Sequence, residues 1–501
     1  MTLLGEYLSV KEMITVERNS VALGLALQEL MECAGKSVAD QVMKKFDPDS
    51  KVIIVSGLSG NGGDGFVAAR HLASSGYDVE VLVLGDPSNI RHENSKINYQ
   101  ILEKMKSSIK ITKITDTSFI PELRSDVIID GLIGTSMHGS LRTPYKEMVS
   151  AINGTDAYTV SIDIPTGMVA DTGKVHGEAI NADLTVTFHK AKEGYRVKGE
   201  NVGELEVAPI GIPLEAELYT GPGDVWAAHK RRDPEAHKGM FGTLLVVGGS
   251  ETYSGAPTLT SLGAYSMGVD LVYTAVPETA TQTIMSTSPS LITIKLKGER
   301  FCQEHIEVLE PLLEKVDAVA IGPGLGRHKD TVDASTEFFK ILQNHGLPCI
   351  IDADGLKAYA DVKISISTPT IFTPHSREFQ LLTGEMVSGS FEDRGEIVGR
   401  HAAKLGAVIL LKGKIDVISD GKLTRYNWTG NPGMTVGGTG DVLTGITGGF
   451  VAQGTSLMEA SSAAAYINGA AGDWVYKEKG YHILPEDLIE KIPYIIQKCL
   501  G

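Results

Sequence analysis

Short apolar, β-branched runs that end in glycine or aspartate recur along this chain and alternate with helical stretches. That alternation restricts the fold more than any other feature. Lys51–Gly57 (KVIIVSG) is the first such run, and Val79–Gly85, Val127–Ile133, Thr159–Ile164 and Leu184–Phe188 continue the series. Phe66–Ser75 has helical character, and residues 9–45 read as one or two amphipathic helices leading in. Strands of this kind separated by helices imply a parallel sheet covered on both faces. Ligands of such sheets collect beyond the carboxyl ends of the strands. The turns at those ends are Gly57–Gly65, Asp130–Gly139 and Asp163–Gly173.

At 501 residues the chain exceeds one ordinary core. Residues 211–240 interrupt the pattern with Pro213, Gly221-Pro222-Gly223, Lys230-Arg231-Arg232 and Pro234. A second α/β series starts at Thr243 and includes Leu271–Val276, Ala318–Ile321, Cys349–Asp352 and Val408–Leu411. Asp416–Ser419 and Leu423–Asn427 suggest a small antiparallel addition. Two α/β domains are therefore expected, at 1–215 and 225–501, and they do not repeat each other. A formal charge of −16 argues against nucleic-acid or anionic-membrane partners. Neither a membrane span nor a signal-peptide core is visible, and Cys33, Cys302, Cys349 and Cys499 lack metal or disulfide spacing. A cytoplasmic protein with free thiols is the expectation.

The stretch Gly430–Gly445 (GNPGMTVGGTGDVLTG) crowds glycines around one carboxylate, Asp441, ahead of the apolar helical run Val442–Val451. Amides that open a helix point at whatever lies before it and favour anionic oxygens, phosphate above all. Asp441 at that start is placed to take a proton from a hydroxyl attacking phosphorus. A plain helix cap in a glycine-rich loop is the alternative reading of the same residues.

Further motifs accompany this one: Lys238-Gly239, Gly248-Gly249-Ser250, Tyr253–Pro257, Gly322–Gly326 (GPGLG), Asp352–Leu356 (DADGL), Thr373-Pro374-His375 and Leu411-Lys412-Gly413. In this order and spacing the second half resembles the ribokinase-like fold, and within it the ADP/ATP-dependent NAD(P)H-hydrate dehydratases. That resemblance implies ADP or ATP as co-substrate, with Mg2+, and repair of a nicotinamide cofactor carrying water across a ring double bond. It implies phosphorylation of the added hydroxyl followed by loss of phosphate. Asp441 would be the base, Ala256, Gly324, His375 and Asp441 would hold the hydrated dinucleotide, and Lys412, Gly413, Lys414, Ile415, Asp416 and Gly440 the nucleotide. Asp352 and Asp354 fit either a metal or substrate role or hydrogen-bonded carboxylates closing a strand.

In the first half, Gly60-Asn61-Gly62-Gly63-Asp64-Gly65 follows a strand and allows amides to approach a diphosphate. Together with Leu30–Gly35 (LMECAG), Asp130–Thr135 (DGLIGT) and Asp163–Gly167 (DIPTG), it resembles the NAD(P)H-hydrate epimerases. A Rossmann-like three-layer α/β/α domain is implied. So is a K+ ion held by Asn61, Asp130 and Thr166, with Asp163 as the acid/base that inverts the hydrated carbon. Gly60, Asn61, Gly62, Gly63, Asp64, Gly134, Thr135, Ser136, Met137, His138, Gly139, Ser140, Tyr145 and Asp163 would contact the substrate. Taken alone, Asp130 and Asp163 read first as carboxylates that cap helices or satisfy loop amides. The chain departs from that family at Gly60 and Cys33, where asparagine is common.

The fusion of two such halves implies a bifunctional enzyme acting on NADHX and NADPHX. An epimerase supplies the one epimer that a dehydratase accepts, and the family's members form homo-oligomers. The rivals are a small-molecule kinase on the same fold and a binding-only first domain. The kinase would release a stable phosphorylated product, and the binding domain would show no dependence on Asp163.

Overall fold

A computed structural model describes residues 5–197, 199–362 and 367–501. The chain divides into two compact units, one ending at Leu214 and the other comprising Glu215–Gly501. No helix among the described residues is long and apolar enough to cross a membrane.

Among the described residues the main sheet of the first unit has seven strands: β1 (Lys51–Ser56), β2 (Asp78–Leu84), β3 (Ile109–Ile114), β4 (Val127–Gly131), β5 (Tyr158–Ile162), β6 (Leu184–Phe188) and β7 (Glu204–Ala208). They lie in the order β3-β2-β1-β4-β5-β6-β7, every neighbouring pair parallel. The central strands are buried along nearly their whole length, as V/I/L-rich parallel strands must be. Helices α1 (Val10–Ala22), α2 (Leu27–Lys45), α3 (Gly60–Ser74), α4 (Glu93–Leu102) and α5 (Tyr145–Asn153) accompany the sheet. The start of α1 is tied in by a short parallel pairing, Tyr7 with Ala191 and Leu8 with Lys192. The strand order reverses between β1 and β4, so the ligand crevice of such a sheet opens there.

Four strands of the two large sheets are absent from the sequence reading: β3 and β7 here, and Ile292–Leu296 and Thr370–Phe372 in the second unit. The glycine turn is also shorter than expected, because α3 already begins at Gly60.

Among the described residues the second unit carries nine strands: β8 (Thr243–Val247), β9 (Leu271–Pro277), β10 (Ile292–Leu296), β11 (Ala318–Ile321), β12 (Cys349–Ile351), β13 (Thr370–Phe372), β14 (Val408–Leu411), β15 (Asp416–Ser419) and β16 (Thr424–Asn427). Their order is β10-β9-β8-β11-β12-β13-β14-β15-β16, parallel up to β14 and antiparallel for the last two. Residues 215–228 form α6 (Glu215–Leu218) and α7 (Pro222–Ala228) and lock onto β16: Arg425 donates to the Tyr219 carbonyl at 2.6 Å and to Asp224 at 3.0 Å. The helices that matter for the site are α8 (Gly255–Ser266), α9 (Ser376–Thr383), α10 (Thr439–Ala452) and α11 (Leu457–Lys479). Here the order reverses between β8 and β11. Gly249 N–H donates to the Pro323 carbonyl across that point at 2.8 Å.

Candidate active sites

In the first unit the amides of Gly60 and Asn61 open α3 at the end of β1. The Gly62 backbone packs so closely that a Cβ there would lie 2.0 Å from the Gly57 carbonyl oxygen. Beside this helix start lies a cavity of about 400 Å³. Gly60, Asn61, Asp64, Gly134, Thr135, Ser136 and Asp163 line it, together with Leu30, Met31 and Ala34 of α2. Met137–Ser140 and Tyr145 do not line it; Met137 is buried and Tyr145 begins α5. The two departures from the epimerase pattern lie on the opening turn of α3 and on α2. A Cβ at Gly60 would meet open space, and Cys33 is exposed and away from the cavity.

Asp163 sits just past β5 with φ of 60°, a left-handed conformation that only firm surroundings sustain in a non-glycine residue. Those surroundings are Lys192 Nζ, 2.6 Å from Asp163 Oδ1, Thr187 Oγ1 donating at 2.9 Å, and the Tyr195 hydroxyl donating to the Asp163 carbonyl. Lys192 is 1% exposed, and its ammonium also donates to Thr187 Oγ1 at 3.0 Å and to the Phe188 carbonyl at 3.3 Å. A lysine so buried is rare without such partners. Lys192 is the principal residue that the sequence does not reveal. Glu17 of α1 also lines the cavity and was equally hidden among the charged positions of an amphipathic helix.

Asp130 ends β4 fully buried. It accepts from Thr166 N at 2.9 Å, Thr166 Oγ1 at 2.7 Å, Ser161 Oγ at 2.9 Å and Leu132 N at 3.2 Å. Burial pushes its carboxyl up, and these hydrogen bonds only partly counter that. Nearby, Asn61 Nδ2 is buried with no partner, and a Cβ on Gly134 would lie 2.9 Å from Asn61 Oδ1. Asn61, Asp130 and Thr166 thus approach the same loop, residues 131–134.

In the second unit α10 begins at Thr439, capped by Gly438 at φ 107°, so its opening amides have no intrahelical partner. Asp441 lies in that first turn. Burial, then Asp352, push its carboxyl up to about 7, with Lys412 drawing it down and Asp354 adding to the rise. The later glycines of the motif do something else: a Cβ on Gly445 would lie 2.1 Å from the Thr260 carbonyl oxygen, so this glycine permits α8 and α10 to touch. Thr260 Oγ1 reaches the Asp441 carbonyl at 3.1 Å. One turn earlier on α8 stands Ala256, whose Cβ is 3.3 Å from where a Cβ on Gly324 would be.

Lys412 ends β14. Its ammonium donates to Asp352 Oδ1 at 2.7 Å and lies 3.4 Å from a Cβ built on Gly440. Thr444 Oγ1 donates to Asp352 Oδ2 at 2.8 Å. Burial alone would lift Asp352, but Lys412 and the Thr444 hydroxyl hold it below the usual carboxylate range. Burial would depress Lys412, and Asp352 with other carboxylates reverses that. Asp354 accepts from Gly326 N at 3.0 Å and from Lys357 at 2.9 Å. Both carboxylates are thus committed to protein donors. His375 caps α9, its Nδ1 accepting from Arg377 N at 3.1 Å and Glu378 N at 3.3 Å, and its strand segment pairs with Lys412.

A cavity of about 480 Å³ follows, lined by Lys412, Gly413, Lys414, Ile415, Asp416 and Gly440, with Asn431, Met434 and Asn468. Asp416 accepts from Gly413 N and Asn427 Nδ2, each at 2.9 Å, and burial pushes it up to about 6. The structure therefore brings Ala256, Gly324, Lys412, Gly440 and Asp441 to one end of the sheet.

One group elsewhere, Cys302, Glu304 and His305, lies within metal-binding reach among the described residues. Both His305 nitrogens are occupied, by the Lys297 carbonyl at 2.8 Å and Cys302 N–H at 3.1 Å, so the group reads as a turn.

Comparison with known proteins accords with this division. Residues 244–494 match the family described as NAD(P)H-hydrate dehydratase, and residues 27–194 match the YjeF-related protein N-terminus. The bifunctional NAD(P)H-hydrate repair enzyme of Pyrobaculum aerophilum is 43% identical over 97% of this chain and 97% of its own. The enzyme of the same description from Hyperthermus butylicus is 41% identical over 98% and 92%. A ribokinase-like superfamily protein from Enterococcus faecalis superposes with a TM-score of 0.51 at 26% identity, covering 56% of this chain and 96% of its own. With a Rossmann-like unit followed by a ribokinase-like one and relatives matched along nearly its whole length, this chain belongs to the family of bifunctional NAD(P)H-hydrate repair enzymes.

Proposed function

We propose that the first unit interconverts the R and S epimers of NADHX and NADPHX. The second unit then dehydrates the S form to NADH or NADPH with ADP or ATP, releasing AMP or ADP and phosphate. The observation that carries this reading is the placement of Asp441 on the opening turn of α10, with Gly440 shared by the Lys412–Asp416 cavity. The hydroxyl of the hydrate loses its proton to Asp441 as its oxygen attacks the terminal phosphorus. The amides around Gly438–Gly440 and the Lys412 ammonium stabilise the transferring phosphoryl group. Elimination of the phosphate ester restores the ring double bond. Magnesium would arrive on the nucleotide's own phosphates, since Asp352 and Asp354 each already pair with a lysine ammonium, Lys412 and Lys357.

A monovalent cation fits the first unit. Asp130 is a buried carboxylate whose interactions are all hydrogen bonds, with no cationic side chain among them, and Asn61 Oδ1 approaches the same loop at Gly134. Asn61, Asp130 and Thr166 would hold K+, which would supply the missing positive charge and stiffen the loop after β4. Asp163, kept in place by Lys192, Thr187 and Tyr195, is the residue that moves a proton at the hydrated carbon's hydroxyl.

The test is recovery of reduced-nicotinamide absorbance from purified hydrated NADH with ADP, ATP or no nucleotide, with inorganic phosphate measured in parallel. Restored NADH with equimolar phosphate supports the dehydratase. A stable phosphorylated hydrate would instead identify a kinase.

A further inference from the structure

The first-unit cavity holds more acidic groups than a single base requires. Glu17 of α1, Asp64 of α3 and Asp163 all line it, and Lys192 is the cation they share. Lys192 is committed to Asp163, Thr187 and the Phe188 carbonyl. Glu17 and Asp64 are left as carboxyls lining a half-open cavity without a cation of their own, where like charges disfavour ionisation. Burial, with Asp163 and Glu17 adding to it, holds Asp64 well above the usual carboxylate range. Glu17 is pushed up to about 7, by burial first; Lys192 draws it down and Asp163 raises it again. Among the described residues Glu17 makes no hydrogen bond or ion pair that would explain a carboxyl at this place, and only the charges of Lys192 and Asp163 act on it. Its helix is nevertheless fixed beside Lys192, through the pairing of Leu8 with Lys192 just ahead of α1.

Water added across the ring double bond of a dihydronicotinamide places the hydroxyl on the carbon bonded to the ring nitrogen, because nitrogen stabilises positive charge there. That carbon is a hemiaminal and its C–H lies next to no carbonyl. Direct proton abstraction from carbon is therefore a poor route to inversion. We infer that Glu17 is a second catalytic residue of the first unit, the acid that protonates the ring nitrogen while Asp163 deprotonates the hydroxyl. This inference rests on the epimerase reading above.

The step balances without a co-reactant. Asp163 takes the hydroxyl proton, and the O–H electron pair becomes the second carbon–oxygen bond as the carbon–nitrogen bond breaks. The pair of that bond goes to nitrogen, which receives the proton of the Glu17 carboxylic acid. The resulting aldehyde turns about its adjoining single bond and presents its other face. The reverse transfers close the ring with inverted configuration, and each carboxyl ends as it began.

The experiment incubates the full-length protein and its Glu17→Gln and Glu17→Asp variants with pure R epimer in 18O-water, without nucleotide and against an enzyme-free control. Appearance of the S epimer is followed by chromatography with mass spectrometry. Glu17→Gln should lower the rate by about 10²-fold or more, with Glu17→Asp clearly faster than Gln, and the parent's product should keep its original hydroxyl oxygen. A parental rate in Glu17→Gln would overturn the inference. Equal loss in both variants would overturn it too, as would solvent oxygen entering once per inversion, which marks loss and re-addition of water. A parent protein that leaves the R epimer unchanged would remove the epimerase reading and this inference together.

Discussion

Lys412 Nζ lies 2.7 Å from Asp352 Oδ1, an ion pair between a partly exposed lysine and a buried carboxylate that joins the segments just past β14 and β12 next to the opening turn of α10. Removing one partner of such a pair leaves an uncompensated buried charge, whereas replacing both need not. Asp352→Asn should therefore destabilise the second unit, by less than the about 3–5 kcal/mol of a fully buried pair because Lys412 keeps access to solvent, and the double variant Asp352→Leu, Lys412→Met should regain part of it without regaining dehydration. All three tryptophans, Trp226, Trp428 and Trp474, lie in this unit, so urea unfolding followed by their fluorescence reports it alone. Equal stability of Asp352→Asn and the parent would show that the pair is dispensable.

Asp441→Asn should reduce nucleotide-dependent dehydration by about two to four orders of magnitude and leave epimerisation intact. The parent's pH profile carries the same information. A base works deprotonated, and burial has pushed Asp441 up to about 7. Dehydration should rise through neutral pH and level off above it. A profile flat from pH 5 to 8 would assign the proton transfer elsewhere.

Potassium should stiffen the loop after β4. In KCl, compared with choline chloride at equal ionic strength, hydrogen exchange at residues 131–135 should slow, and Asp130→Asn should erase the difference. Ligand at about 100 times its dissociation constant adds about 2.7 kcal/mol of protection. Identical exchange of the parent in both salts would count against the cation.

Gly445→Ala should lower the stability of the second unit by at least about 1–3 kcal/mol through overpacking, because its new methyl meets the Thr260 carbonyl oxygen at 2.1 Å. Gly440→Ala, where the nearest atom is Lys412 Nζ at 3.4 Å, should fold normally and lose dehydration instead. Urea unfolding and the absorbance assay separate the two outcomes.

These contrasts show what the sequence could and could not disclose. The central strands are apolar from end to end and were legible from the residues alone. Three of the four unread strands, Ile109–Ile114, Glu204–Ala208 and Ile292–Leu296, are sheet edges. Lys110, Lys113, Glu204, Glu206 and Lys295 break their apolar pattern, as edges commonly require. The fourth, Thr370–Phe372, is central but has only three residues. Among the candidate residues, Asp441, Lys412 and Asp163 stand in local motifs and were readable. Lys192 and Glu17 were not: each resembles a solvated charge in its own segment, and only long-range pairing turns it inward. The glycine cluster was half legible, since spacing cannot tell a glycine that frees an amide from one that admits a neighbouring helix.

The central claim is that one chain repairs both epimers through two separate sites, and the most direct measurement starts from pure R epimer with excess nucleotide. NADH is followed by chromatography at short times, before spontaneous epimerisation intervenes, for the parent protein, Asp163→Ala, and an equimolar mixture of Asp163→Ala with Asp441→Asn. The parent should form NADH and Asp163→Ala should form almost none, while converting S epimer at the parental rate. The mixture should restore NADH formation, one variant supplying each step. NADH formed from R epimer by Asp163→Ala at the parental rate would contradict the account.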